Sequence, residues 1–99
     1  MEVEIDEIIN SVFDKDPNVT SVVVVDDSGL CLAIRGDISE EAAGLVSSIA
    51  TRSELVLPTS NPEAQRKSPV IQIEAESMTI IIRRIANVVV GIFKQAQEA

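Results

Sequence analysis

From Val3 to Phe13 the apolar residues Ile5, Ile8, Ile9, Val12 and Phe13 recur at i, i+3, i+4, i+7 and i+8. That spacing predicts one helix with a single apolar stripe. Glu4, Asp6, Glu7 and Asn10 occupy its other side, and the early acids suit the positive end of a helix dipole. Pro17 ends it, because the residue before a proline is pushed out of helical geometry. Val19 to Asp26 then changes period. Val22-Val23-Val24-Val25 is β-branched on both faces, as expected for a central strand covered on both sides. Asp26-Asp27-Ser28-Gly29 signals a turn, and Leu30 to Arg35 returns as the second strand of a hairpin before Gly36-Asp37.

The longest helical pattern runs from Ser39 to about Leu57. Ser39 can cap it with Glu40 and Glu41 in the first turn, and Asp37 with Glu40 is the alternative capping pair. Ala42, Leu45, Val46, Ile49, Ser53 and Val56 share about 100° of the helical wheel and are expected to face a sheet. A neighbouring stripe carries Ala43, Ser47 and Ala50, then Glu54 and Leu57. Pro58–Ser68 reads as a loop rich in Pro, Ser, Thr and Asn. In Pro69–Glu76, Ile71, Ile73 and Ala75 alternate with Gln72, Glu74 and Glu76, while Met78–Ile85 and Val88–Phe93 are apolar at their centres. Glu76-Ser77 and Ala86-Asn87 are tight enough for hairpins. The order helix, two strands, helix, three strands makes an α/β (α+β) domain. Its five-stranded, mainly antiparallel sheet carries a helix on each face.

Length and composition narrow the function. With 99 residues, one domain over 1–99 is expected, with flexible ends at 1–2 and 95–99 and a loop at 58–68. Aromatics are only 2%, so Val and Ile must fill the core. Eight Lys+Arg against 16 Asp+Glu give a net charge of −8, which disfavours nucleic acid and anionic membrane surfaces. With no His, no His-based triad, general base or metal ligand exists. The single Cys31 forms no internal disulfide and fits a reducing compartment. No apolar run approaches the ~18 residues of a membrane span, and Glu2 excludes myristoylation. Any membrane location must therefore come through a partner.

Catalytic chemistry finds no footing. Four glycines form no phosphate loop. Asp26, Asp27, Asp37, Glu40 and Glu41 lack EF-hand spacing and read as turn and cap residues rather than a metal site. Cys31 has no His to activate it. Arg83 and Arg84 point to opposite faces of a strand, so they form no basic patch, and one of them should lie near a strand end or a partner. No catalytic, cofactor-binding or metal-binding residue is expected, and the reading is of a non-enzymatic protein. The small stripe Ala43, Ser47 and Ala50 suggests close approach of another helix. The strand at Pro69 suggests a sheet edge open to pairing.

Asp16-Pro17-Asn18-Val19-Thr20-Ser21-Val22, Asp26-Asp27-Ser28-Gly29-Leu30 and the run from Arg35-Gly36-Asp37 to Gly44-Leu45, in this element order, resemble the roadblock/dynein light-chain superfamily. Within it they resemble a small subunit of the Ragulator complex. The likeness covers roughly Val3 to Lys94, and the 58–68 loop and the tail after Lys94 depart from it. The resemblance implies a profilin-like sandwich with sheet order 2-1-5-4-3, and a heterodimer with a second roadblock subunit through the long helix and third strand. It places Ala43, Ser47, Ala50, Glu54, Leu57, Val70, Gln72 and Glu74 at the contact. It also implies a lipidated, wrapping scaffold subunit that supplies the membrane anchor, and Rag GTPases recruited at the lysosomal surface for amino-acid signalling to the TOR kinase complex. A dynein-type cargo adaptor and a homodimeric small-GTPase regulator share the fold and are the alternatives.

Overall fold

The computed structural model describes residues 4–57 and 69–95. The 58–68 loop, residues 1–2 and the tail from 96 lie outside the described residues. The elements are α1 (Ile5–Lys15), β1 (Val19–Val25), β2 (Cys31–Arg35), α2 (Glu40–Val56), β3 (Ile71–Glu74), β4 (Met78–Ile85) and β5 (Val88–Gln95). The strands form one sheet in the order β2-β1-β5-β4-β3, every neighbouring pair antiparallel. Element order and sheet order both match expectation. Gln95, read as part of a flexible end, instead closes β5, its N–H donating to the Asn18 carbonyl at 3.0 Å.

The valine run works as its composition requires. Alternate residues of β1 enter two separate cores. Val23 and Val25 join Ala43, Val46, Ala50, Ile82, Val89 and Phe93 under α2. Val22 and Val24 join Ile9, Val88 and Val90 under α1. Both strand neighbours and both helices therefore bury β1, and Val22 to Val25 are fully inaccessible.

Each helix ends where its local chemistry dictates. Asp16 leaves α1 in an extended conformation ahead of Pro17. Ser39 caps α2, its Oγ accepting from the Ala42 N–H at 3.2 Å, so Ser39 and not Asp37 is the cap.

The side of α2 that meets the sheet matches expectation at Val46 and Ile49 and departs from it elsewhere. The buried residues are Ala43, Val46, Ser47 and Ala50, whereas Leu45 is 59% and Val56 80% exposed. The strand beneath explains the rotation. At Gly91 of β5, a Cβ would stand 2.9 Å from a Val23 methyl and 3.0 Å from a Val46 methyl. The helix thus rides close over the sheet, with Val46 seated over Gly91 and the small Ala43, Ser47 and Ala50 beside it.

Gly36 shows the same economy at the end of β2. Its φ is +104°, and a Cβ there would lie 2.6 Å from the Thr20 carbonyl oxygen and 2.8 Å from the Ser21 Cα. Backbone cannot yield as a side chain can. Gly36→Ala is therefore expected to cost about 3 kcal/mol or more, adding strain at positive φ to the clash. A urea midpoint close to that of the parent chain would contradict this.

Candidate partner interface

Eight residues were expected at a partner contact, and the structure divides them. Ala43, Ser47 and Ala50 are core residues: all three are buried on the sheet side of α2, with 0%, 6% and 7% of their surface accessible. Their small size serves helix-on-sheet packing within this chain. Glu54 turns inward, where its carboxylate takes a hydrogen bond from the Arg84 guanidinium at 3.2 Å. Leu57, Val70, Gln72 and Glu74 are exposed.

Arg84 sits where β4 ends, beside the turn between β1 and β2. Besides Glu54 of α2 it pairs with Asp27 of that turn, so three elements meet on one side chain. The acids hold its guanidinium above its usual range, first through the Asp27 hydrogen bond, with burial opposing. Arg83, its neighbour, is exposed on the opposite face, as strand geometry requires. The expectation that one of the two arginines lies near a strand end or a partner holds for Arg84, one residue from the end of β4.

With the small residues turned inward, the outward face of α2 is what remains open. Gly44, Leu45, Ser48, Leu55 and Val56 are all exposed there, and a Cβ placed at Gly44 would meet nothing within 4 Å. Leu55 is 83% exposed. Large apolar side chains beside a glycine and a serine make a face another helix can approach closely. Two of these residues, Leu45 and Val56, were expected to face the sheet.

β3 is the sheet edge, paired among the described residues with β4. Ile71 and Ile73 pack toward the α2 core, while Gln72 and Glu74 project from the opposite face, joined by a 2.9 Å hydrogen bond. An incoming strand would meet the β3 backbone rather than those two side chains.

A second surface lies on the α1 side. α1 covers β1 but leaves a groove of about 700 Å³ between itself and β4. Ile8, Val12, Ile81, Ile85 and Ile92 line it, with Glu4, Glu7, Arg83 and Lys94 among the charges around it.

The titratable groups are structural. Asp16 accepts from Lys94 and from the Asn18 N–H, which hold its carboxyl below the usual range. Asp26 accepts from the Ser28 hydroxyl at 2.7 Å and the Leu30 N–H at 2.9 Å, with the same effect. Burial raises the Cys31 thiol, with the charge of Glu40 adding to it, so the thiol stays protonated at neutral pH. Among the described residues no three His, Cys, Asp or Glu side chains gather as a metal site, and no helix is long and apolar enough to cross a membrane. A depressed folded-state pKa stabilises above the unfolded value, about 3.9 for Asp, and that contribution fades as pH falls through the folded value. Stability should therefore drop on acidification below about pH 4. Asp16→Asn should flatten that acid limb in urea midpoints measured against pH, and an unchanged limb would remove the Lys94 pair as its source.

Comparison with known proteins places this geometry. The sequence model of the family described as "Ragulator complex protein LAMTOR5" matches residues 1–94. Among solved structures, the chain is similar to a Roadblock/LC7 domain from Streptomyces avermitilis, at TM-score 0.69 and 13% identity over 87% of this chain and 73% of that one. It is similar to an MglB solved with a tetrameric arrangement, at TM-score 0.65 and 15% identity over 91% of this chain and 69% of that one. It is also similar to Myxococcus xanthus MglB, at TM-score 0.62 and 17% identity over all of this chain and 82% of that one. At such identities these likenesses establish the roadblock fold.

Proposed function

The chain belongs to the LAMTOR5 family of Ragulator complex proteins, and from that premise we propose that it is a non-enzymatic scaffold subunit that pairs with a second roadblock subunit. The observation that carries this reading is the juxtaposition of an apolar outward face on α2 with an open β3 edge. Leu45, Leu55 and Val56 are surplus to the chain's own core, since the sheet is already filled by the small side of the same helix. Antiparallel packing of two such helices, with β3 meeting a partner's edge strand, would bury both features at once. Leu57 and Val70 flank that contact, and Gln72 and Glu74 border it through the β3 backbone.

In the complex, the groove between α1 and β4 is a second contact, suited to the lipidated wrapping subunit. Its apolar floor with charges of both signs fits an amphipathic segment laid along it. The assembly would recruit Rag GTPases at the lysosomal surface for amino-acid signalling to the TOR kinase complex, with the membrane anchor supplied by the wrapping subunit. The role asks this chain for surfaces and for no reacting side chain.

The test is a tagged pull-down from the native cell with mass spectrometry of the co-purifying chains. A second small roadblock protein recovered with Rag GTPases is the expected result. Dynein chains, or the protein alone, would retain the fold and overturn the scaffold assignment.

A further inference from the structure

The sheet has a second terminal strand, β2, on the side away from β3. Among the described residues β1 is the one strand that pairs with it. An edge strand leaves a row of backbone N–H and C=O groups directed at solvent. Between Cys31 and Ala33 the register shifts against Val24 and Val25, so β2 carries one extra residue there, Leu32. A bulge of this kind re-aims a side chain, and Leu32 is 38% exposed, with Leu30 next to it at 62%. A shallow groove of about 310 Å³ runs along the strand, lined by Leu30, Leu32, Ile34 and Glu40.

Acidic residues flank both ends of this edge. Asp26 lies in the turn before β2, and Asp37, Glu40 and Glu41 follow it into α2. The one cation on the strand, Arg35, is directed to Asn10 of α1 at 2.7 Å. Asp26 is held in its ionised form by the turn it closes.

We propose that the outer edge of β2 receives an extended segment of a partner polypeptide as a sixth strand, apolar at its centre and carrying Lys or Arg toward its ends. Backbone pairing supplies the affinity and the flanking acids select the occupant. A second copy of this chain is the wrong occupant. Two β2 strands paired antiparallel would set the Asp26 end of each against the Asp37, Glu40 and Glu41 end of the other, acid against acid. Like charges set opposite each other across paired strands are destabilising. The site is separate from the α2 face and the β3 edge, so a chain already paired through those still offers it.

The test is nuclear magnetic resonance on the isotope-labelled full chain, alone and with its roadblock partner bound. The probes are a short synthetic peptide alternating lysine and valine, and its glutamate–valine counterpart. The lysine peptide is expected to shift the Cys31–Arg35 amides and slow their hydrogen exchange in both forms of the protein, and the glutamate peptide to leave them unchanged. Leu32→Lys should abolish the response, and Glu40→Lys should weaken it several-fold. Both side chains are exposed, and an otherwise unchanged spectrum shows that each variant is folded. Equal response to the two peptides, or shifts on α2 or β3 instead, overturns the proposal. Broadening of the same amides with protein concentration, peptide absent, would assign the edge to a second copy and overturn it as well. Loss of the roadblock partner alone would affect the preceding functional reading and leave this one standing.

Discussion

Ala50→Trp is expected to unfold the chain rather than merely separate it from a partner. Ala50 is 7% exposed and shares its buried cluster with Val23, Val46, Val89 and Phe93. Gly91 shows how little space lies between α2 and the sheet, since a single added Cβ already meets Val23 and Val46 at about 3 Å. Overpacking a core by a few methylenes costs about 1–3 kcal/mol. An indole in place of a methyl group exceeds that range and approaches the ~5–15 kcal/mol that holds a whole domain folded. Circular dichroism in a urea series measures it, and a cooperative transition near the parent midpoint would mean that α2 is turned the other way. Ser47→Trp, on the same face and 6% exposed, should behave alike.

Six residues earlier the opposite outcome is expected. Gly44→Trp should leave the fold intact and abolish pairing with a roadblock partner. A Cβ at Gly44 meets nothing within 4 Å, so the indole extends into solvent. Replacing glycine in a helix interior can add up to about 1 kcal/mol of stability through helix propensity. On the partner side the same indole would prop two helices apart and remove the contacts of Leu45 and Leu55. A loss of at least about 2 kcal/mol of binding is expected, the scale of a central interface residue. Co-elution by size exclusion and a titration calorimetry isotherm would show it. Undiminished pairing would move the partner off this face of α2, whatever the fold of the variant.

These two substitutions mark the boundary between what the sequence makes legible and what it hides. Element order and element bounds follow from local signals, namely the valine run, the Asp26–Gly29 turn, Pro17 and the Ser39 cap, whereas the sheet order 2-1-5-4-3 follows from the family resemblance. The orientation of α2 does not follow from local signals. Its apolar residues outnumber what one sheet face can accept, and Leu45 and Val56 continue the stripe of Val46 and Ile49 yet stay outside. Part of the decision lies in β5, more than forty residues away, where Gly91 gives Val46 room to descend and brings Ala43, Ser47 and Ala50 in with it. A pattern scored by hydrophobicity alone places Val46 and Ile49 correctly and misplaces Leu45 and Val56. The pairing of Glu54 with Arg84 was equally hidden, because it joins α2 to β4 across thirty positions of sequence. Conversely, the open β3 edge was legible because Pro69, a short strand and alternating polarity are all local signals of an edge.

A sheet with two open ends is, in the language of polymer chemistry, a bifunctional monomer, and bifunctional monomers make chains of unlimited length. Among the described residues the order β2-β1-β5-β4-β3 leaves two such ends, but they are not equivalent. One is bordered by exposed leucines on a neighbouring helix, and the other by Asp26, Asp37, Glu40 and Glu41. On the proposal made above, acid at the second end would make the molecule monofunctional toward its own kind. Growth would stop after one coupling, and a pairing module that could have seeded a fibre would instead yield a finite assembly.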